Sequence, residues 1–270
     1  MRARIELDGR ELRIDLDRPV PIGLDLDPDG TQPRHFGAPP ASARPLSVPG
    51  FSGSVASGAS CNCSVLTLVP HCNGTHTECV GHLTVERVNA CDRVPPGLLP
   101  AALLSVEPED AIASDESTDP LPVAGDLMIT AAALERNWPG PLPFMPRALV
   151  LRTLPNEAAK QSRNYSALVP PYLSREAAEL IVERRIEHLV VDLPSIDRAH
   201  DAGRLTTHRV FFGLPPGAIQ LGKATRGQAT VTELAYVPDS LADGAYLLEI
   251  QVPAIHGDAV PSRPLLYPLL

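Results

Sequence analysis

Alternating apolar and polar positions begin the chain, and continuous apolar runs occupy its middle. Residues 4–7 and 12–16 alternate on either side of Asp8-Gly9, which predicts a β-hairpin with a tight turn. Residues 99–106 and 148–152 are almost entirely apolar, a pattern typical of strands that are covered on both faces. The chain therefore combines a two-stranded ribbon with a deeply buried sheet.

The clearest helical pattern covers residues 174–185. Ser174 is the expected N-cap, and Ala177, Leu180 and Ile181 recur at helical spacing. The helix leads into the apolar run 188–193, so a strand, a helix and a strand follow one another from residue 148. That order predicts a βαβ unit with parallel pairing.

The remaining segments complete an α/β pattern. Thr130 is expected to cap a short helix over residues 131–137. Further strands are predicted over residues 51–56, 64–69, 126–129, 229–236 and 246–252. Proline, glycine and aspartate mark residues 19–50 as irregular, and the acidic segment 108–122 is expected to be an exposed loop. No boundary divides the chain, which predicts one α/β domain over residues 1–270.

Composition narrows the classes of function. A hydrophobic content of 44% is sufficient for a sizeable core, and a net charge of −9 argues against a nucleic acid or a membrane surface as a general partner. No apolar run reaches the roughly 20 residues that a membrane span needs. The charged N-terminal residues lack a signal-peptide core, which predicts a cytoplasmic protein. All five cysteines lie between Cys61 and Cys91, and this odd number favours free thiols or metal ligands over disulfides.

Potential metal ligands are concentrated in residues 70–82, which contain three of the eight histidines. His71, His76, Glu78 and His82 offer imidazole nitrogens and a carboxylate, a mixture that suits zinc or manganese. Gly74 is expected to allow a tight turn. If residues 75–78 are extended, His76 and Glu78 lie on one face of the strand. A single histidine is usually structural, but this spacing favours a metal or catalytic role.

The run from Asn73 to His82 resembles the His-x-Gly-Thr-His-x-Asp-x-Pro-x-His signature of the cyclase family, which includes bacterial kynurenine formamidases and isatin hydrolase. The Gly-Thr-His core and the last histidine are intact. Cys72 stands at the place of the first histidine, with His71 one residue earlier, while Glu78 replaces aspartate and Val80 replaces proline. The resemblance implies a layered β/β/α fold over most of the chain.

The resemblance also implies a function. Members hydrolyse C–N bonds in amides and imides with bound metal, so it implies a small-molecule substrate and one or two zinc or manganese ions. His208 matches the family's later histidine ligand, and Glu233 matches its late glutamate ligand. The expected metal ligands are therefore His71, His76, Glu78, His208 and Glu233. A homo-oligomer, dimer or tetramer, is implied by the resemblance alone.

Other residues are assigned supporting roles. The run 192–197 resembles the family's Asp-x-Pro-Ser-x-Asp segment. Asp197 is a candidate to orient a ligand histidine, because ligand imidazoles usually donate their second N–H to a carboxylate; Asp192 is expected to be structural. The resemblance also makes His35 and Phe36 candidates for substrate contact, against a slightly favoured interpretation as a surface loop. His188, His200 and His256 match nothing and are expected to be structural or exposed.

The predicted mechanism is hydrolysis by metal-activated water. His82 is the expected general base and later the acid for the leaving nitrogen, since its place in the motif and the usual imidazole pKa suit that role. Glu78 is one methylene longer than aspartate, so a carboxylate shared by two ions would be displaced by about one bond length. A single-metal site is therefore an alternative to a two-metal site.

Three other functions stay open at this level. The cysteines and nearby histidines contain enough ligands for a structural zinc site, although their spacings differ from those of zinc fingers. The replacements at Cys72 and Glu78 also fit a binding protein built on a hydrolase scaffold. A thiol nucleophile at Cys79 is a weaker alternative, because no oxyanion arrangement can be derived from sequence.

Overall fold

A mixed sheet of nine strands forms the centre of the molecule in the computed structural model, which describes residues 1–270. The strands in chain order are β1 (Arg2–Leu7), β2 (Arg10–Asp15), β3 (Val20–Pro21), β4 (Ser42–Pro45), β5 (Ser47–Val48), β6 (Phe51–Ser52), β7 (Ser64–Thr67), β8 (His76–Cys79), β9 (Leu99–Val106), β10 (Glu109–Asp110), β11 (Leu127–Ile129), β12 (Ala148–Thr153), β13 (Tyr172–Leu173), β14 (His188–Val191), β15 (Thr230–Glu233), β16 (Gly244–Gln251), β17 (Ala259–Pro261) and β18 (Arg263–Pro268). The helices are α1 (Pro70–Asn73), α2 (Ala131–Asn137), α3 (Arg175–Glu183) and α4 (Thr206–Phe212).

The strand order of the large sheet is β17-β8-β15-β14-β12-β9-β16-β18-β3. Strands β9, β12, β14 and β15 are parallel, and the strands on both sides of this block are antiparallel. The predicted βαβ unit is confirmed, because β12 pairs with β14 in parallel and α3 lies between them in the chain. The predicted α/β class, a single domain with a layered mixed sheet, is confirmed as well.

Both faces of the central strands are covered, as their continuous apolar sequences predicted. Leu149 and Leu151 of β12 pack in a cluster of 27 buried residues that also contains side chains of α2, α3 and α4. Ala148 and Val150 point to the other face, into a cluster of 14 buried residues covered partly by Val237. Each buried leucine contributes about 1.5–3 kcal/mol relative to an exposed one. None of the helices combines the length and apolar composition needed to cross a bilayer.

Local sequence signals give the expected structures at several places. Strands β1 and β2 form the predicted hairpin around Asp8 and Gly9, and the hairpin packs against β16 and β18 through Leu12 and Ile14. The side chain of Ser174 accepts a hydrogen bond from the Ala177 amide at 2.8 Å and caps α3. Thr130 caps α2 in the same way, at 2.9 Å from the Ala133 amide.

Three predicted segments differ from the structure. The strand expected over residues 51–56 is limited to β6, and a 3-10 turn follows it. The strand expected over 64–69 is β7, which pairs only with β4 and is mostly exposed, so the large sheet does not hold it. The acidic loop over 108–122 is not wholly exposed, because Ala111 is buried in a small cluster with Met128 and Tyr172.

Candidate metal centre

Strand β8 carries the first two candidate ligands into the sheet. It lies between β15 and β17, with His76 opposite Glu233 on one side and Glu78 opposite Ala259 on the other. His76 and Glu78 are two residues apart in an extended strand, so both side chains leave the same face. All four residues of β8 are buried. The extended segment that the sequence predicted is therefore present and is held on both edges.

The approach to β8 differs from the predicted turn at Gly74. Gly74 has φ 167° and ψ −172°, which is extended backbone, so it makes no left-handed turn. The change in direction is made by α1, a single helical turn that begins at Pro70, a residue suited to the first helical position. His71 lies on this turn and is half-buried beside the end of the sheet.

Glu78, His208 and Glu233 form the innermost cluster, and all three are buried. His208 Nε2 lies 2.6 Å from Glu78 Oε1 and 3.5 Å from Glu233 Oε1. His208 comes from α4, more than a hundred residues after β8, and Glu233 ends β15. Two carboxylates and one imidazole thus face each other inside the protein.

Two further groups of ligand atoms extend from this cluster towards solvent. In the first, His71 Nδ1 lies 2.9 Å from Glu78 Oε2, and His76 belongs to the same group. In the second, His71 Nε2 lies 2.9 Å from Asp258 Oδ2, and His82 Nδ1 lies 3.5 Å from the same oxygen. Within each group the ligand atoms are all within 4.8 Å of one another. Glu78 belongs to two of the three groups, with one oxygen directed to each.

Orphaned atoms at the centre indicate that a cation fits there. His76 Nε2, Glu78 Oε1 and His208 Nε2 are buried, and none of them has a hydrogen-bond partner. The close approach of His208 Nε2 to Glu78 Oε1 does not have hydrogen-bond geometry, so it leaves both atoms unsatisfied. Unpaired buried polar atoms are costly. A divalent ion among His76 Nε2, Glu78 Oε1 and His208 Nε2 would satisfy all three atoms.

Asp197 fixes the orientation of His208. Its Oδ2 accepts the Nδ1–H of His208 at 2.6 Å, and its Oδ1 accepts the Thr207 amide at 2.7 Å. Because Nδ1 is bonded to Asp197, Nε2 is the ring nitrogen directed at the cluster, and its lone pair is available when a cation replaces the second proton. Glu233 is held similarly, since Oε1 accepts the Ile196 amide at 2.9 Å. The expected supporting role of Asp197 agrees with this geometry.

The charges of the cluster require a positive partner. Burial alone lowers the pKa of His208, but the carboxylates of Glu78 and Asp197 raise this pKa well above its usual value. Burial likewise raises the pKa of Glu78, and the neighbouring imidazoles of His208 and His82 reverse the shift to well below the usual value. Hydrogen bonds from His71 and His82 lower the pKa of Asp258. The carboxylates of Glu78 and Asp258 are therefore ionised, and they favour positive charge beside them.

A cavity of about 830 Å³ leads from the surface to these groups. His71, His82 and His208 line it together with the two glutamates. Residues 199–203, Leu205 and Pro194-Ser195 form another part of its wall. The cavity has the size of a small-molecule site, for which volumes of roughly 300–1,000 Å³ are typical.

This arrangement was compared with known protein families and structures. The model of the Cyclase family matches residues 14–198, just over two thirds of the chain. The chain belongs to the Cyclase family. The matched part includes residues 71–82 and 192–197, and it ends before His208, Glu233 and Asp258. A comparison with curated proteins found no significant match.

Solved structures share the Cyclase fold with this chain. One, described as a "predicted metal-dependent hydrolase" from Bacillus stearothermophilus, has 15% identity and a TM-score of 0.56, with 93% of this chain and 98% of that chain covered. An isatin hydrolase bound to the product analogue thioisatinate has 16% identity and a TM-score of 0.55, with 93% and 92% covered. Isatin hydrolase A from Labrenzia aggregata, bound to benzyl benzoate, has 17% identity and a TM-score of 0.56, with 93% of each chain covered.

The structure brings all of the residues predicted from the Cyclase motif together. His71, His76, Glu78, His208 and Glu233 lie in overlapping groups, and His82 stands beside them. His71, rather than Cys72, takes part in these groups, although Cys72 also lines the cavity. Their roles as metal ligands and general base stay predictions.

Asp258 is the residue that sequence reasoning missed. It precedes β17 and reaches the cluster only because β17 pairs with β8. The Gly257-Asp258 pair resembles any other turn in the sequence, so no local signal distinguished it. His200 was also expected to be structural or exposed; it is exposed and lines the cavity. His188 is buried and bonded to Thr230, as expected for a structural residue.

The early loop contributes one side chain to the cavity. Phe36 lines the cavity and is 59% exposed, so it is placed where a substrate could touch it. His35 is buried behind it, with ring centroids 3.8 Å apart, and burial lowers the pKa of His35 to about 4. Phe36 is thus an exposed loop residue that also lines the cavity, and its contact with substrate stays a prediction.

The cysteines do not form a centre of their own. No cysteine belongs to any of the three groups of potential ligands, and all five are free. Cys79 packs in the large core cluster and donates its thiol to the Val88 carbonyl at 3.5 Å. Burial raises the pKa of this thiol to about 11, whereas a reactive cysteine needs a low pKa. The structure thus disfavours both the structural cysteine site and the thiol nucleophile.

Proposed function

We propose that this protein is a metal-dependent hydrolase that cleaves an amide, imide or lactone bond in a small molecule. The single observation that carries the proposal is the buried convergence of His76 Nε2, Glu78 Oε1 and His208 Nε2 without hydrogen-bond partners. Membership of the Cyclase family and the fold shared with isatin hydrolases support the same class of reaction.

The proposed ligands divide into an inner and an outer set. Glu78, His208 and Glu233 would hold one ion, and His71 with His76 would add a second that shares Glu78. Imidazole and carboxylate ligands suit zinc or manganese. Although Glu78 is longer than the aspartate of the motif, its two oxygens face the two sets, which supports sharing between two ions.

A divalent ion held by these residues would supply a bound water of lowered pKa and would polarise the substrate carbonyl. His82 is the proposed general base and later protonates the leaving group. Its side chain is 27% exposed and lines the cavity, beside the ligands rather than behind them. Asp258 lies near Nδ1 of His82, so Nε2 is the nitrogen that remains available to exchange a proton with substrate or water.

The cavity limits the substrate. About 830 Å³ accommodates a small cyclic or aryl compound, and Phe36 and Leu205 offer apolar contact on its wall. An arylformamide, a cyclic imide and a lactone all place a carbonyl next to a cleavable bond. We therefore propose arylformamidase-type or cyclic amidase-type substrates as the first to be tested.

The test combines metal analysis with turnover. Purified protein is analysed for zinc and manganese, then assayed with aryl formamides, cyclic imides and lactones in the presence of each ion. His82→Ala is expected to lose hydrolysis, by roughly 100-fold or more, and to keep its metal content. Full activity in this variant would remove His82 from the mechanism. Full metal content without turnover of any compound in the wild type would instead favour a binding protein on this scaffold.

A further inference from the structure

A second cavity, of about 400 Å³, lies on the other side of α4 from the metal centre. Arg175, Arg204 and Arg209 line it, and only two of its twelve lining residues are hydrophobic. The single carboxylate on its wall belongs to Asp119. In a chain of net charge −9, a cavity with three guanidinium groups and one carboxylate is a local reversal of charge.

The arginines are only weakly compensated within the protein. Arg175 makes no ion pair, and Arg204 Nε lies 3.8 Å from Asp119 Oδ1 with both side chains mostly exposed. Exposed pairs of this kind contribute about 0–1 kcal/mol. Arg209 is held by three backbone carbonyls, those of Arg204, Pro215 and Ala218, through Nε and Nη1. Its position is therefore fixed while its charge has no acidic partner.

We propose that this cavity binds a small oxyanion, a carboxylate or phosphate group, between Arg175, Arg204 and Arg209. Guanidinium groups match the planar oxygens of such anions and form charge-assisted hydrogen bonds with them. Thr206 also lines the cavity, and its Oγ1 donates a hydrogen bond to the backbone carbonyl of Asp119. The cavity volume of about 400 Å³ lies at the lower end of the range of roughly 300–1,000 Å³ that small-molecule sites have.

The anion would lie directly behind the proposed metal centre. His208 and Arg209 are adjacent on α4, with His208 in the metal cluster and Arg209 on the second cavity. Gly203 lines both cavities, and Asp201 fixes the loop between them by accepting the Gly203 amide at 2.8 Å. The proposal does not depend on hydrolysis, since binding is measured without turnover.

Isothermal titration calorimetry of the full chain with malonate and, separately, inorganic phosphate tests the proposal, at constant ionic strength set with chloride. Wild-type protein is expected to bind at least one of the two saturably. Arg175→Gln, and independently the exposed Arg204→Gln, should each weaken that binding about tenfold, the loss expected for one charge-assisted contact. Arg10→Gln, which changes an exposed arginine at the start of β2, is the control and should bind as the wild type does.

The metal centre can bind the same anions, and the variants separate the two sites. Binding at the metal is unaffected by Arg175→Gln and Arg204→Gln, because neither arginine lines the main cavity. Binding of equal strength in the wild type and in both variants would overturn the proposal. So would heats that match those of a chloride titration. The anion, malonate or phosphate, whose binding is weakened by the two arginine substitutions identifies the type of anion that this cavity takes.

Discussion

Replacing Asp197 with asparagine should weaken metal binding without touching a ligand. Asp197 is buried and accepts the Nδ1–H of His208 at 2.6 Å, in addition to two backbone amides at the start of α4. Asparagine has nearly the same shape, and its oxygen can still accept one hydrogen bond. Asp197→Asn therefore removes the negative charge and leaves most of the packing intact.

The magnitude follows from the contact that changes. A hydrogen bond to a charged group contributes about 1.5–3 kcal/mol, and 1.4 kcal/mol corresponds to about a tenfold change in an equilibrium constant. Carboxylates behind ligand histidines typically affect metal affinity by about 10–100-fold. Burial raises the pKa of Asp197, but its hydrogen bond with His208 brings this pKa below the usual value, so the charge is present at neutral pH. We expect the dissociation constant for zinc to rise about 10–100-fold in Asp197→Asn.

Competition with a chromophoric chelator measures this constant, and thermal unfolding of the metal-free proteins checks that α4 still forms. Asp201→Asn is the matched control. Asp201 is a buried carboxylate of the same segment that accepts the Gly203 and Leu205 amides, and it contacts no proposed ligand. Asp201→Asn should change the dissociation constant for zinc by less than about threefold, because the charge it removes is farther from the metal centre and is partly screened.

Equal effects of the two substitutions would mean that general charge, rather than the bond to His208, sets the affinity. Unchanged affinity in Asp197→Asn, with a normally folded protein, would refute the argument that Nε2 of His208 is a ligand held by Asp197. Unfolding of the variant would be visible as a loss of the thermal transition before any metal is added.

Two other predictions concern stability. Lys160 Nζ lies 2.9 Å from Asp192 Oδ2 inside the protein, so Lys160→Met leaves a buried carboxylate unpaired. This variant should lower the free energy of unfolding, measured by urea titration, by about 3–5 kcal/mol, whereas Lys223→Met at an exposed lysine should change it little. Equal losses in the two variants would contradict the pairing. Burial lowers the pKa of His188 to about 4, so this histidine contributes stability above pH ~6.5 that is lost as the pH falls towards 4, by up to about 3 kcal/mol. His188→Asn should flatten that part of the curve of unfolding free energy against pH, and an unchanged curve would show that another group dominates.

Local sequence was sufficient for features that depend on neighbouring residues. The hairpin at Asp8-Gly9 and the caps at Thr130 and Ser174 formed as predicted, because the interacting groups lie within a few positions of each other. The histidine-rich stretch was identifiable for the same reason, since the residue types that bind metal are crowded into residues 71–82. The resemblance to the Cyclase motif then supplied His208 and Glu233, which spacing alone does not connect to that stretch.

Pairing between distant strands decided the rest. The register of β8 against β15 sets Glu233 opposite His76, and the pairing of β17 with β8 brings Asp258 within 2.9 Å of His71. The same packing holds β7 outside the large sheet, although its sequence resembles that of a buried strand. The arginine cavity behind α4 likewise exists only because segments near residues 119, 175 and 209 meet in space. Residue types and short-range order are thus properties of the sequence, while the convergence of charges depends on a register that only the folded sheet fixes.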